Sequence, residues 1–139
     1  MKYLLDTNVW IRFFRDPLAR EQFEVRAGRS MLFMSSIVAL ELFAGCRTSR
    51  EQREVERFLK PFEKAGRLIV PDHRSLLEAG RVLAALRSEG IGAAHRRQLV
   101  NDVVIAVTAA RAGVGVLTAN TKDFTRIAKY TTVRWTLPA

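Results

Sequence analysis

Four acidic residues stand in or directly beside apolar segments of the chain, where carboxylates are uncommon. They are Asp6, Glu41, Asp102 and Asp123. A buried carboxylate needs a partner, and a group of carboxylates without cations repels itself and normally holds a metal ion. Carboxylate oxygens suit Mg²⁺ or Mn²⁺ rather than Zn²⁺, and the softer ligands are limited to His73, His95 and Cys46. The acids therefore predict a Mg²⁺ or Mn²⁺ site, provided that the fold brings them together.

The charge of the whole chain indicates what such a site would act on. The formal net charge is +9, which predicts attraction to polyanions, and nucleic acid is the commonest polyanion in a cell. A carboxylate-bound divalent ion polarises a phosphodiester, generates hydroxide and stabilises the leaving oxygen. An acidic metal pocket within a basic protein therefore predicts a nuclease, in which the basic surface holds the phosphate backbone and the metal site hydrolyses it.

Strand-like and helical segments alternate along the chain. This alternation predicts a three-layer α/β/α fold with a mostly parallel sheet of four to five strands. The predicted strands are 2–6, 31–34, 67–70 and 114–119, with a last β-rich run at 131–135. If strand 2–6 is central and lies between 31–34 and 114–119, the chain direction switches there and the carboxyl ends of these strands share one crevice. Asp6, Glu41 and Asp123 are then expected at that crevice.

Helices are predicted wherever apolar residues recur at helical spacing. The predicted ranges are 8–14, 18–27 with Gly28 as its stop, 37–44 capped by Ser35 or Ser36, a helix from 49, 73–89, 100–112 and 122–129. Segment 91–99 has no clear periodicity and is interpreted as a loop. Asp102 then falls in the first turn of its helix, where the helix dipole favours a carboxylate.

The helix that begins near residue 49 has a basic outer face. Arg50, Arg53, Arg57 and Lys60 lie on it, and we interpret this face as a solvated surface laced with Glu51 and Glu54.

Length and composition bound the remaining possibilities. The 139 residues fit one domain, predicted to span 1–139. A lone cysteine, Cys46, excludes an internal disulfide and favours a reducing, cytoplasmic location. The apolar run before Asp6 is too short for a signal peptide, and no stretch approaches the roughly 18 apolar residues of a membrane span.

Several segments together resemble a known family. They are Leu5-Asp6-Thr7-Asn8, then Ser35 with Glu41-Leu42 and Gly45, then Asn101-Asp102-Val103-Val104-Ile105-Ala106, then 117–124. In order and spacing they resemble the PIN-domain ribonucleases, in particular the VapC toxins of bacterial and archaeal toxin–antitoxin pairs. The likeness spans nearly the whole chain. It implies a Mg²⁺- or Mn²⁺-dependent endoribonuclease that cuts structured RNA such as tRNA or rRNA, forms a homodimer and is silenced by a cognate antitoxin.

The resemblance also implies roles for single residues. By motif position, Asp6 and Asp102 are the principal metal ligands, Glu41 completes the acidic pocket, and Thr7 and Thr118 support it by hydrogen bonding. The family position Thr-x-Asp/Asn falls on the neutral Asn120, with Asp123 three residues further on. This leaves open which of the two is the fourth site residue, and whether one metal ion binds or two.

Arg96 and Arg97 immediately precede the helix that carries Asp102. Because phosphate contacts position a nucleic acid without reading its bases, we expect these two arginines to hold the RNA backbone.

Three other interpretations remain open. The protein could be a non-catalytic nucleic-acid-binding module whose acids only cap helices. It could be a phosphatase with Asp6 as covalent nucleophile, although Asn8 stands where the second aspartate of such sites is needed as general acid. It could also be a PIN nuclease of RNA processing that has no antitoxin.

Overall fold

The computed structural model describes residues 1–27 and 31–138, which form seven helices and five strands. In chain order these are β1 (Lys2–Leu5), α1 (Thr7–Arg15), α2 (Pro17–Ala27), β2 (Met31–Ser35), α3 (Ser36–Ala44), α4 (Ser49–Lys64), β3 (Leu68–Ile69), α5 (His73–Ser88), α6 (Ala93–Ala112), β4 (Gly115–Leu117), α7 (Thr121–Ile127) and β5 (Trp135–Thr136). The strand order is β3-β2-β1-β4-β5, and every pairing is parallel. The predicted fold class is confirmed, as is the central position of the first strand.

The order of the strands places the helices in two layers. The chain moves from β1 to β2 to β3 in one direction across the sheet and then returns to β4 and β5 on the other side of β1. Because parallel crossovers are right-handed, α1 to α4 cover one face and α5 to α7 cover the other. An aromatic cluster joins the first layer, with Trp10 on α1 lying 4.9 Å from Phe58 on α4 between ring centroids. In the second layer α6 packs along α5 and α7.

Helix α6 forms the centre of the core. Its residues from Val103 to Ala109 are all buried, as a helix enclosed on every side must be. Such a helix has a fixed position and rotation, so the polar residues just before its buried stretch are held firmly. Asp102 is the last of them.

Side-chain caps explain where several of the helices begin. The Ser35 hydroxyl accepts a hydrogen bond from Ile37 N at 3.1 Å at the start of α3, which confirms one of the two predicted caps. Thr48 caps α4 and Asp72 caps α5 in the same way. Asp6 is the N-cap of α1, accepting a hydrogen bond from Thr7 N at 2.8 Å. A capping role for Asp6 therefore exists beside any chemical one.

The prediction of a loop at 91–99 was wrong. Helix α6 begins at Ala93, so Asp102 is its tenth residue and lies far from the first turn. Proximity to the helix N-terminus therefore does not explain this carboxylate. The first turns of α6 are mostly exposed, with the first fully buried residue at Leu99, and an exposed helical segment has no apolar periodicity to reveal it.

Other predicted boundaries shifted by a few residues. The last three strands are shorter than predicted, because the structure limits them to Leu68–Ile69, Gly115–Leu117 and Trp135–Thr136. Gly28, predicted as the stop of the second helix, lies outside the described residues. Across residues 1–27 and 31–138, no helix has both the length and the apolar character needed to cross a membrane.

Gly113 joins α6 to β4 and should tolerate no side chain without cost. It adopts φ +70°, the left-handed conformation that favours glycine, and it ends the helix. We expect Gly113→Ala to lower the free energy of unfolding by about 1–2 kcal/mol, because the new Cβ meets open space but strains the backbone. Urea unfolding measures this. The matched control is Gly80→Ala. Gly80 is exposed within α5, and alanine there should raise the free energy of unfolding by roughly 0.5–1 kcal/mol. Equal effects at the two positions would contradict this explanation.

Candidate active site

Asp6 occupies the carboxyl end of the central strand and is only 3% exposed. Its Oδ2 accepts hydrogen bonds from Thr118 Oγ1 at 2.8 Å and Asn8 Nδ2 at 3.2 Å, and its Oδ1 accepts from Thr7 N. Burial raises the pKa of Asp6, and the nearby negative charge of Glu41 raises it further, while these hydrogen bonds lower it. The carboxylate is thus fixed in one orientation and is close to at least one other acid.

Glu41 reaches the same place from α3. Its Oε1 accepts a hydrogen bond from Thr7 Oγ1 at 2.7 Å, which ties α3 to the start of α1. The apolar residues around Glu41 pack α3 into the core and leave this side chain only partly buried. A charge in an otherwise apolar helix needs a polar neighbour, and Thr7 supplies it.

Asp102 is joined to Asp123 through an amide. Asn120 Nδ2 donates hydrogen bonds to Asp102 Oδ2 at 3.0 Å and to Asp123 Oδ2 at 2.9 Å. Asn120 N in turn donates to Thr118 Oγ1, the hydroxyl that holds Asp6. A continuous chain of hydrogen bonds therefore runs from Asp6 to Asp123.

Asp102 has a pKa far above the ordinary value for an aspartate. Burial, followed by the charges of Asp6, Glu41 and Asp123, raises the pKa of Asp102 to about 7. The hydrogen bond from Asn120 lowers it only in part. The four acids predicted from the sequence therefore lie at one edge of the sheet, near enough for the other three to affect Asp102, together with Thr7, Thr118 and Asn120.

Arg96 and Arg97 do not join this group. The Arg96 guanidinium donates to the backbone carbonyl of Ile91, which anchors the start of α6. At 100° per helical residue, the two arginines are rotated by about 120° and 140° from Asp102 around the axis. The expectation of a loop that presents them beside Asp102 was therefore wrong, because that segment is helical.

His95 is a neighbour of the site that sequence reasoning missed. Its Nε2 lies 3.7 Å from Asp123 Oδ1, and its side chain is 40% exposed. His95 precedes Asp102 by seven residues, so the two share one face of α6. That spacing was readable from the sequence, but only if the segment had been recognised as helix.

Comparison with known proteins identifies the family of this fold. The family model described as the PIN domain matches residues 3–130, which is nearly the whole chain. This chain belongs to the PIN-domain family. The match includes β1 with Asp6, α3 with Glu41, α6 with Asp102 and the segment 118–123.

Relatives of this PIN domain are similar over their full length. The chain is 26% identical over 137 residues to the tRNA(fMet)-specific endonuclease VapC of Shigella flexneri, covering 97% of this chain and 98% of that one. A solved structure of DNA-bound VapBC from Salmonella typhimurium matches with a TM-score of 0.73 and 27% identity, covering 100% and 99% of the two chains. VapBC-1 from nontypeable Haemophilus influenzae matches with a TM-score of 0.69 and 26% identity, covering 99% and 98%.

The donors in this PIN domain fit a hard divalent cation, which PIN nucleases generally use. The side chains are carboxylates, hydroxyls and an amide, and the mutual repulsion that raises the pKa of Asp102 is what a cation would relieve. In the described part of the chain, no three acid, imidazole or thiol groups stand close enough together to hold a metal ion by themselves. Mg²⁺ in proteins is nevertheless commonly bound by only one or two carboxylates, with water and substrate phosphates completing its shell.

We expect Thr118 to hold the Asp6 carboxylate of this PIN domain in its orientation. Its fully buried hydroxyl donates to Asp6 Oδ2 and accepts from Asn120 N. We expect Thr118→Val to lower the free energy of unfolding by about 1–3 kcal/mol, because it removes both hydrogen bonds of a buried hydroxyl. Mn²⁺ affinity should fall roughly 10–100-fold, as for the loss of other residues that orient metal ligands.

Urea unfolding and isothermal titration with Mn²⁺ measure the two effects of Thr118→Val. Thr118→Ser keeps the hydroxyl and is the control, which should retain most of the stability and the affinity. Wild-type Mn²⁺ affinity in the valine variant would show that Asp6 does not depend on this hydrogen bond for its position.

Proposed function

We propose that this chain is a metal-dependent endoribonuclease and the toxin of a toxin–antitoxin pair, with residues 1–139 as one nuclease domain. The convergence of Asp6, Glu41, Asp102 and Asp123 at one sheet edge carries the proposal, because hydrogen bonds through Thr118 and Asn120 link Asp6, Asp102 and Asp123, and Thr7, which follows Asp6, donates to Glu41. The net charge of +9 supports a polyanionic substrate. The names of the relatives, a tRNA-specific endonuclease and VapBC complexes, support RNA hydrolysis and an antitoxin partner.

In this proposal Asp6 and Asp102 hold Mg²⁺ or Mn²⁺. When bound, the ion supplies an activated water and stabilises the leaving oxygen of the phosphodiester. Glu41 is the proposed proton acceptor, since Thr7 engages its Oε1 and its Oε2 has no hydrogen bond to another described residue. Asn120 and Asp123 together form the fourth position, in which Asn120 separates Asp123 from Asp102.

The proposed partners are structured RNA such as tRNA or rRNA, a cognate antitoxin protein and a second copy of this chain, in the cytoplasm. Exposed leucines on α3 and α5 offer apolar surface to a homodimer; these are Leu40, Leu76 and Leu77. The mass of the purified protein in solution, measured by light scattering, tests the dimer.

Cleavage of total tRNA and rRNA by the purified protein tests the activity. We expect products in Mg²⁺ or Mn²⁺ and none in EDTA. Co-expression of a small protein encoded beside this gene should abolish cutting, which separates a toxin from a nuclease of RNA processing. Metal-independent RNA binding without cleavage of any RNA in the panel would favour a binding module instead.

A further inference from the structure

Helix α4 presents a basic face that is segregated from its acids. Five residues on it are basic and exposed: Arg50, Arg53, Arg57, Lys60 and Lys64. At 100° per residue they fall within an arc of about 80°. We call this surface the α4 stripe.

The rest of α4 explains why the stripe faces outward. The apolar residues Val55, Phe58, Leu59 and Phe62 lie almost directly opposite it, and Phe58 and Phe62 contact Trp10 of α1. This packing fixes the rotation of the helix. The four glutamates of α4 all project outside the arc of the stripe, nearer the apolar face than the basic residues do.

The glutamates of α4 form few ion pairs with the basic residues of the stripe. Arg50 pairs with Glu54 at 3.4 Å, and both side chains are exposed. Arg53, Arg57, Lys60 and Lys64 form no ion pair with any residue in 1–27 or 31–138. The predicted solvated face is therefore confirmed, but only Glu54 of the two predicted acids pairs with it. Glu51 instead accepts a hydrogen bond from Arg47 N, and both acids line the groove beneath the helix.

The position of the stripe relates it to the acidic site. Helix α4 follows α3, which carries Glu41, and one groove is lined by both Glu41 and Phe58 of α4. From Arg50 to Lys64 the helix rises about 21 Å, so the five cations form a line of that length, on the side of α4 that faces away from the groove shared with Glu41. This length spans several consecutive phosphates of a nucleic-acid strand.

From this geometry we infer that the α4 stripe binds the phosphate backbone of structured RNA outside the acidic site, which rests on the proposed nuclease function. The contact is with phosphates and not with bases, because a row of cations reads charge and shape. The predicted backbone contacts of Arg96 and Arg97 would be separate from it, since these arginines lie on α6.

The test compares two triple variants with the same change in net charge. The first is Arg53→Gln, Arg57→Gln and Lys60→Gln in the stripe. The matched control is Arg74→Gln, Arg81→Gln and Arg87→Gln, which removes three exposed cations from α5 on the opposite face of the sheet. Circular dichroism and urea unfolding verify that both variants fold.

Binding of unfractionated tRNA is measured by fluorescence anisotropy in EDTA, so that no cleavage intervenes, at several salt concentrations. Each lost phosphate contact lowers the slope of log K against log salt by about 0.7–0.9. We expect the stripe variant to lose about 2–3 units of slope and on the order of 100-fold in affinity at 0.15 M salt. The α5 variant should stay within about threefold of the wild-type affinity, since long-range charge is screened at that salt. With Mg²⁺ present, the stripe variant should lose kcat/KM on tRNA through KM.

Equal losses in the two variants would mean that only bulk charge matters, and would overturn the inference. A larger loss of slope with duplex DNA than with tRNA would assign the stripe to DNA and would also overturn it. A loss confined to the stripe variant and larger for tRNA supports it. Whether the wild-type protein cuts RNA in Mg²⁺ is read separately, so failure of the nuclease proposal is distinguishable from failure of the stripe.

Discussion

Asp102→Asn and Asp6→Asn should each lower the rate of RNA cleavage by about 10³-fold or more while the protein stays folded. A bound divalent ion contributes several kcal/mol of charge stabilisation in the transition state, and each 1.36 kcal/mol corresponds to a factor of ten. An amide has nearly the same shape as the carboxylate but lacks its charge, so it holds the ion poorly. The prediction therefore applies to both proposed ligands.

Single-turnover cleavage of tRNA in Mn²⁺, beside Mn²⁺ titration of each variant, measures this effect. The control is Glu21→Gln on the exposed surface of α2, which makes the same kind of change far from the site. Full activity in either aspartate variant would remove that residue from the list of ligands. Unchanged Mn²⁺ affinity together with lost activity would instead assign it to proton transfer.

The second large effect concerns stability and pH in the absence of metal. Burial and the neighbouring acids raise the pKa of Asp102 from its ordinary value of 3.8 to about 7 in the folded protein. Since the folded state holds this proton more tightly, stability is greatest below about pH 4 as far as this group is concerned. It falls as the pH rises through the window from about 4 to about 7. The pKa of Asp6 is also raised, so its ionisation likewise lowers the stability as the pH rises.

Asp102→Asn removes this penalty, so a variant that loses activity should gain stability. At 1.36 kcal/mol per unit, the gain approaches 4 kcal/mol at pH 8 as an upper limit and vanishes near pH 4. Urea unfolding of the variant and of the metal-free wild-type protein across that range measures the difference. Mn²⁺ should stabilise the wild-type protein more than the variant at pH 8. A difference that does not depend on pH would show that Asp102 ionises freely in the folded chain.

Much of the fold could be predicted because its pattern is strong. The run that ends at Asp6 and the run at 114–117 read as buried strands, and the order of strands and helices then requires a parallel sheet. The apolar residues of α4 recur at helical spacing, which made that helix clear. Strand ends could not be located, since a two-residue pairing such as Leu68–Ile69 depends on the neighbouring strand rather than on its own residues.

The acids of the candidate site could be predicted from the sequence, but the hydrogen bonds that connect them could not. Asp6, Glu41 and Asp102 stand out because a carboxylate in an apolar segment is rare. The double hydrogen bond of Asn120 depends on two elements meeting in space, and no spacing along the chain reveals it. The start of α6 was not predicted for a related reason. The residues from Ala93 to Gln98 are held by the bond from Arg96 to Ile91 O and by the helix that follows them, and not by an apolar stripe.

The hydrogen bond between Thr118 and Asp6 joins residues 112 positions apart. At 5–20 residues per second, a ribosome needs about 5–20 s to make the chain that separates them. During that interval a nascent chain has its first strand but lacks the hydroxyl that orients Asp6. Glu41 is added 35 residues after Asp6, and Asp102 only 96 residues after it. We therefore expect the proposed nuclease site to stay incomplete until synthesis of the chain is nearly finished.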